Sequence, residues 1–309
     1  MAKKTRSTIR DFSEFLAVRI VLSVLQAMPL SWGYTLAKGL AWLAYKIDRR
    51  HRVVADQNLQ IAFPQWSAAQ RDHAIREVYV HFCSMVIEMT HLPRMLHVHN
   101  WKKYMELGRG DEMVGALLSG RPLIVITGHF GNWELAGYAL ALFGFNSYAV
   151  ARPLDNPWMD DLLKRFRKKT GQELLNKNGD SNRMADLLDA GGILCTLADQ
   201  DAGQNGLFVP FFGKPASTHK AVALLALHHQ ALVAVVGTRR VGAGLKYLID
   251  VEVVLDTRTY LDDQNAVRRL TQDYTLAWER LVSKAPEQYL WLHRRWKHEP
   301  RVKQQRRAA

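Results

Sequence analysis

The residues most able to do chemistry lie in segment 127–134, which reads Thr-Gly-His-Phe-Gly-Asn-Trp-Glu. Histidine can act as a general base near neutral pH, and a carboxylate that accepts a hydrogen bond from one imidazole nitrogen makes the other more basic. His129 and Glu134 lie about 140° apart around a continuous helix, so they would share no helix face. Gly128 and Gly131 permit a tight turn that folds His129 back over the first helical turn. We therefore predict that Glu134 orients His129.

The predicted base has no nucleophilic side chain beside it, because the Gly-x-Ser-x-Gly elbow of hydrolases is absent. His129 is therefore predicted to activate a hydroxyl group of the substrate itself. The same residues also permit a structural interpretation. In it His129 caps a buried turn, and Glu134 is favoured at a helix N-terminus by the helix dipole.

Apolar runs alternate with helical patterns along most of the chain. The runs predicted as strands are 123–127, 147–151, 193–198, 232–237 and 247–255, and the predicted helices are 70–96, 134–143, 157–170, 180–190 and 217–229. This alternation indicates an α/β fold with a mostly parallel sheet flanked by helices. Ligands of such sheets bind beyond the carboxyl ends of the strands, where this chain carries His129, Arg152, Asp199 and Arg239.

The positive charge is confined to the two ends of the chain. Of the net charge of +13, residues 1–52 carry +7 and residues 294–309 carry +6, which leaves the body neutral. Nucleic-acid-binding domains usually spread basic residues over a folded face. We therefore expect an anionic lipid surface or an acidic protein as partner, and no nucleic acid. The composition, 48% hydrophobic and 23% charged, excludes a mainly disordered chain.

The N-terminal region contains two apolar runs, 15–30 and 32–47, with basic residues on both sides. Each run is shorter than the roughly 20 residues that a membrane-spanning helix needs. We expect helices that lie in the membrane interface, with both ends on the cytoplasmic side. Two amphipathic helices of a soluble core and a single membrane span stay open as alternatives. The predicted domains are thus residues 1–52, basic-flanked hydrophobic membrane-anchoring helices; 53–297, an α/β domain; and 298–309, a basic tail.

No metal or other cofactor is predicted. Cys83 and Cys195 are too few for a disulfide framework or a cysteine-based zinc site. His91, His97 and His99 lie close together in sequence, but they have no carboxylate or cysteine at ligand spacing, so we expect a surface cluster.

Several further motifs follow segment 127–134 in order. They are Arg-Pro-Leu-Asp-Asn-Pro at 152–157, Arg167, Asp-Gln-Asp at 199–201, Phe-Val-Pro-Phe-Phe-Gly at 208–213, and Ala-Pro-Glu-Gln-Tyr-Leu-Trp-Leu-His-Arg-Arg-Trp-Lys at 285–297. Together with the hydrophobic N-terminus, they resemble the late lipid A biosynthesis acyltransferases, the lauroyl and myristoyl transferases of lipopolysaccharide assembly in Gram-negative bacteria. The related glycerol-phosphate acyltransferases share the histidine, but many carry aspartate where Glu134 stands. An acceptor that is another glycolipid or phospholipid precursor stays open.

The resemblance implies an acyltransferase that moves a fatty acyl group from acyl carrier protein to a hydroxyl of a lipid A precursor. It implies the cytoplasmic face of the bacterial inner membrane as the location, with membrane lipids as a further partner. The implied catalytic residues are His129 and Glu134 of the HX4E motif, and the implied substrate-binding residues are Arg167, Arg152, Asn156, Asn132 and Asp199. His129 would take the proton of a 3-hydroxyacyl hydroxyl that attacks the thioester.

Arg167 would hold an anionic group of either substrate or pair with Asp199. A rival from another class, a non-enzymatic membrane-bound adaptor, predicts instead that His129 is dispensable.

Overall fold

A computed structural model describes residues 7–169, 171–176 and 179–300 of the chain. Most of the predicted basic tail, residues 301–309, and the last predicted residue of helix 157–170 therefore lie outside the described residues. The described helices are α1 Thr8–Ala27, α2 Leu30–Ile47, α3 Arg49–Ala62, α4 Ala68–Met95, α5 Gly110–Leu118, α6 Trp133–Leu142, α7 Pro157–Lys169, α8 Ser181–Asp189, α9 Lys220–His228 and α10 Ala266–Lys284. The strands are β1 Met105–Gly108, β2 Leu123–Thr127, β3 Ser147–Ala151, β4 Gln172–Asn176, β5 Ile193–Leu197, β6 Leu207–Phe211, β7 Lys214–Thr218, β8 Leu232–Arg240 and β9 Tyr247–Asp256.

Seven of these strands form one sheet in the order β1-β9-β8-β2-β5-β3-β4. Every neighbouring pair is parallel except β8 and β9, which are antiparallel. The predicted α/β fold with a mostly parallel, helix-flanked sheet is therefore confirmed. Strands β6 and β7 form a separate antiparallel hairpin.

Strand β2 lies at the centre of the sheet, and all five of its side chains are buried. It pairs with β8 on one side and β5 on the other, so Val125 lies between Ala234 and Cys195. An apolar run that is buried on both faces is typical of a central parallel strand. The turn that follows β2 is consequently anchored by the most buried part of the sheet.

Several elements escaped the sequence pattern or differ from it. Strands β1 and β4, the hairpin β6–β7 and helices α3, α5 and α10 were not predicted, and β8 continues through Thr238 to Arg240, three residues beyond the predicted end at 237. Short edge strands and hairpins carry little of the apolar periodicity that reveals a central strand. Thr238 and Arg239 therefore belong to a strand, not to a loop beyond it.

Two N-terminal helices form as predicted, but α1 begins seven residues before the apolar run 15–30 and ends three residues before its end, whereas α2 begins two residues before the run 32–47. Helix α2 packs against α4 through a stripe of small residues at Gly33, Ala37 and Ala41, all buried. A Cβ atom on Gly33 would lie 2.6 Å from Ile87 of α4, so glycine permits this close approach. No helix in the described part of the chain is both long enough and apolar enough to cross a membrane.

Candidate active site

The turn after β2 places His129 at the carboxyl edge of the sheet. Two backbone hydrogen bonds hold the residues that follow His129. The N–H of Gly131 donates to the carbonyl of Gln288 at 2.9 Å, and the N–H of Asn132 donates to the carbonyl of Thr238 at 2.8 Å. Gly131 has φ of 56°, and a Cβ atom there would lie 1.6 Å from the Thr238 carbonyl oxygen. Only glycine fits this position, so the sequence of the turn determines where His129 points.

The hydrogen-bond partner of His129 is Asp199, 70 residues later in the chain. Strand β5 runs parallel to β2 and ends two residues before Asp199, which brings the carboxylate beside the turn. The imidazole Nδ1 lies 3.0 Å from one carboxylate oxygen, and the backbone N–H of His129 donates to the other at 2.9 Å. A carboxylate only accepts, which assigns the proton to Nδ1 and leaves Nε2 as the basic nitrogen.

The electrostatics of this pair favour a charged imidazole. Burial lowers the pKa of His129, but the hydrogen bond and charge of Asp199, together with the charge of Glu134, outweigh it and raise that pKa above 6.5. Burial likewise raises the pKa of the Asp199 carboxyl, whereas its bonds with His129 lower it below 3.8. Asp199 therefore stays ionised and can stabilise an imidazolium that forms on His129.

Glu134 makes a different contact from the predicted one. It accepts hydrogen bonds from Nε of Arg167 at 3.1 Å, from Nη2 of the same side chain, and from the indole N–H of Trp133 at 3.1 Å. Both charged side chains are almost buried, with 12% of Arg167 and 9% of Glu134 exposed. The predicted hydrogen bond from His129 to Glu134 is made to Asp199 instead, and Arg167 pairs with Glu134, not with Asp199.

Three other predicted site residues make mostly local contacts. Asn132 caps α6 by accepting from the backbone N–H of Leu135 at 3.1 Å. Asn156 accepts from the backbone N–H of Trp158 at the start of α7 and donates to the carbonyl of Asp11 in α1 at 2.9 Å.

Arg152 is exposed and lies 3.3 Å from Asp155. The structure thus brings together His129, Asp199, Glu134 and Arg167, while Arg152 stands outside this group.

His81 of α4 is a site residue that the sequence pattern did not reveal. Its Nε2 lies 3.1 Å from the carbonyl oxygen of Gly131, and its side chain is buried. Burial and the charge of Arg240 lower the pKa of His81 to about 4, so this imidazole is neutral and donates the hydrogen bond. His81 falls within the apolar periodicity of a long helix, where a histidine is ordinarily a core residue.

The C-terminal motif 285–297 holds the same turn from the other side. The backbone N–H of Leu290 donates to the carbonyl of His129 at 3.0 Å. Arg295 is buried and donates to the carbonyl of Ser217 and, at 2.8 Å, to the hydroxyl of Thr218. This segment is thus part of the core around the site.

The histidines expected at the surface are divided. His91 is buried and its Nε2 lies 3.1 Å from the Met28 carbonyl, whereas His97 and His99 stack their rings 5.5 Å apart. The predicted surface cluster is therefore wrong for His91, because α2 and its preceding turn cover that side of α4. Among the described residues, no group of three or more histidine, cysteine, aspartate or glutamate side chains could hold a metal ion.

Several known proteins are similar to this chain. The family described as bacterial lipid A biosynthesis acyltransferase matches residues 2–298. The lipid A biosynthesis palmitoleoyltransferase of Escherichia coli is 27% identical over 256 residues, which are 82% of this chain and 80% of that protein. The lipid A biosynthesis lauroyltransferase of the same organism is 26% identical over 300 residues, 94% of this chain and 93% of that protein. A phosphatidylinositol mannoside acyltransferase of Mycobacterium tuberculosis is 26% identical over 125 residues, 39% of this chain and 40% of that protein.

Proposed function

Because the chain belongs to the bacterial lipid A biosynthesis acyltransferase family and is therefore an acyl-transferring enzyme, we propose that it performs a late acylation of a lipid A precursor. The proposed donor is an acyl group on acyl carrier protein. The observation that supports this chemistry is the pair of His129 and Asp199, which leaves one imidazole nitrogen as the base at the edge of the sheet. Such an edge is where α/β sheets bind ligands.

In the proposed reaction Nε2 of His129 takes the proton from a hydroxyl of the acceptor. The hydroxyl oxygen attacks the thioester carbonyl carbon, and the new carbon–oxygen bond forms as the carbon–sulfur bond breaks. The proton on Nε2 then passes to the departing thiolate, so that an ester and a free thiol result. Asp199 holds the ring and stabilises the imidazolium between these two proton transfers.

The Glu134–Arg167 pair is proposed to act next to the reacting groups. Glu134 places negative charge near His129, which contributes to the raised pKa of that histidine. Arg167 is proposed to hold an anionic part of a substrate, in a guanidinium orientation determined by its bonds to Glu134. Asn132 and Asn156 are proposed to position this cleft through helix caps, and Arg152 to contact substrate at its rim.

The N-terminal helices are proposed to contact the membrane at its cytoplasmic face. Both expose rows of large apolar side chains on the side away from α4, namely Phe12, Leu16, Ile20 and Val24 of α1 and Trp32, Leu36, Leu40 and Ile47 of α2. Exposed apolar rows with flanking cations are typical of helices that lie in a membrane interface. Arg19, Lys38 and Lys46 supply such cations in these two helices.

A flotation experiment with anionic phospholipid vesicles tests this membrane contact. The double substitution Trp32→Ser with Ile47→Ser should reduce the vesicle-bound fraction of the full chain severalfold, because it removes two large apolar side chains from the proposed interface. Leu118→Ser with Leu261→Ser is the matched control, since Leu118 is 71% exposed and Ile47 is 73% exposed. Equal flotation of both variants and the wild-type chain would contradict the assignment.

The function itself is tested in a purified reaction with acyl carrier proteins of different acyl length and defined lipid A precursors, read by mass spectrometry. We expect a mass increase of one acyl ester on the precursor, and far less product in the same time with His129→Ala. The similarity to a mannoside acyltransferase favours a second candidate acceptor, a phosphatidylinositol mannoside. If only that glycolipid is acylated, it replaces the lipid A precursor as the acceptor. An absence of activity with both acceptors would contradict the proposal.

A further inference from the structure

A groove of about 900 Å³ lies apart from the pair of His129 and Asp199, between α3, the β6–β7 hairpin and the C-terminal segment. We call it the basic groove, because five cationic side chains line it and no acidic side chain does: Arg49, Arg50, Lys214, Arg294 and Lys297. Of its four apolar lining residues, Val54 and Trp296 are buried, Ile61 is half-buried and only Val53 is exposed. The groove thus presents charge with few protruding apolar groups.

Most of these cations have no ion pair with any residue in the described ranges. Among the groove cations, only Lys214 forms an ion pair with a described residue, Glu299, at 3.9 Å. Arg49 and Arg50 also occupy the first turn of α3, where the helix dipole disfavours positive charge. Neither ion pairing nor helix stability therefore explains why the cations are gathered here, whereas binding of a negatively charged partner does.

One short stretch of chain connects the basic groove to the turn that carries His129. The backbone N–H of Leu290 bonds the carbonyl of His129 at 3.0 Å, and the groove residue Arg294 follows four positions later. Between them, the side-chain amide of Asn58, which also lines the groove, donates to the carbonyls of Trp291 and His293 at 2.7 Å each. A partner seated in the groove would therefore contact the same segment that supports the base.

We propose that the basic groove docks the acidic surface of the protein that carries the acyl donor. This inference rests on the proposed function, in which the donor arrives on acyl carrier protein. A folded acidic protein fits a charged groove with recessed apolar groups, whereas a lipid surface fits the exposed apolar rows of α1 and α2. The charges would hold the carrier outside while the acyl chain reaches His129.

Steady-state kinetics of the full chain test the proposal with two donors, acyl carrier protein and the same acyl group on pantetheine alone. For the double substitution Arg49→Glu with Arg50→Glu, we expect KM for the carrier donor to rise about tenfold or more, because several cross-interface charge pairs become repulsive. We expect kcat to stay within twofold and the rate with acyl-pantetheine to be unchanged. Acidic residues are favoured in a first helical turn, so α3 should remain folded.

The matched control is Lys102→Glu with Lys103→Glu, an adjacent exposed pair that does not line the groove, for which KM should change less than threefold. Arg294→Gln with Lys297→Gln removes charge from the opposite wall and should raise KM severalfold. An unchanged carrier KM in both groove variants would overturn the proposal, as would equal losses with both donors. Weaker flotation on anionic vesicles with unchanged carrier KM would assign the groove to lipid and overturn it too.

Binding of holo-acyl carrier protein, followed by fluorescence anisotropy, separates this proposal from the one it rests on. If the wild-type chain neither binds nor uses the carrier, the proposed donor is wrong and the groove assignment fails with it. If the wild-type chain does both and the groove variants match it, only the groove assignment fails.

Discussion

The two carboxylates beside His129 differ in how the chain brings them there and in what they contact. Glu134 lies five residues after the histidine, at the start of the next helix, and bonds Arg167. Asp199 comes from a neighbouring strand 70 residues away and bonds the imidazole directly. The nearby residue in sequence therefore supplies charge next to the imidazole, while the distant residue supplies the hydrogen bond that determines which nitrogen is basic. Proximity along the chain does not identify the hydrogen-bond partner of His129.

Removal of the His129–Asp199 pair should have the largest effect. We expect His129→Ala and Asp199→Asn each to lower kcat by about 10²–10⁴, because the base or its correct tautomer is lost. The double variant should be little worse than His129→Ala, since two residues that act as one unit are not additive. Single-turnover rates with a fixed donor check this.

Asp201→Asn is the control for this pair, because it makes the same chemical change in the same loop, where Asp201 bonds His298 instead. It should retain far more activity than Asp199→Asn. A fully active Asp199→Asn protein would show that the observed hydrogen bond has no part in catalysis.

Breaking the Glu134–Arg167 pair should lower the reaction rate less, and the stability of the fold more, than breaking the His129–Asp199 pair. We expect Glu134→Gln to lower kcat/KM by about 10–10², and to lower the free energy of unfolding by about 3 kcal/mol, because it removes a carboxylate charge that faces a nearly buried guanidinium. Adding Arg167→Gln should recover part of that stability in urea unfolding.

A different result would reverse the comparison. If Glu134→Gln impairs kcat as much as Asp199→Asn and adds nothing to His129→Ala, Glu134 acts directly on the base, as its sequence spacing first indicated.

The pH dependence separates the two carboxylates by the size of the shift that each one causes. A base must be neutral to act, so activity should fall as the pH drops through the raised pKa of His129, with the acid limb of kcat/KM above 6.5. Asp199→Asn should move that limb to lower pH, because the main influence that raises the pKa is gone. Glu134→Gln should move it in the same direction by less. If the acid limb stays at the same pH in both variants, it reflects the titration of a group other than His129.

The smallest effect is expected from His81, which supports the turn without touching the reacting groups. His81→Leu leaves the buried Gly131 carbonyl without its donor, and should lower the free energy of unfolding by about 1–3 kcal/mol. We expect kcat to fall severalfold with KM unchanged. His81→Gln should recover part of the lost kcat and part of the lost stability. His73→Leu, on the exposed side of the same helix, is the control and should leave both near wild type.

The sequence by itself determined the features that depend on neighbouring residues. Short apolar runs identified the central strands β2, β3, β5 and β8, a longer alternating run identified β9, and glycines around His129 indicated the turn that presents it. These follow from local periodicity and local backbone freedom, which a short stretch of chain expresses on its own. The same reasoning placed a helix start at residue 134, one position after α6 begins.

Only the tertiary structure decided which side chains meet at that turn. Asp199 reaches His129 because β5, although β3 and β4 separate it from β2 in sequence, is inserted next to β2 in the sheet. His81 and Leu290 reach the same turn from a long helix and from the C-terminal segment. Strand order and helix packing are set by the burial of the whole apolar surface, which involves residues far apart in the chain, so no spacing within a motif can reveal them.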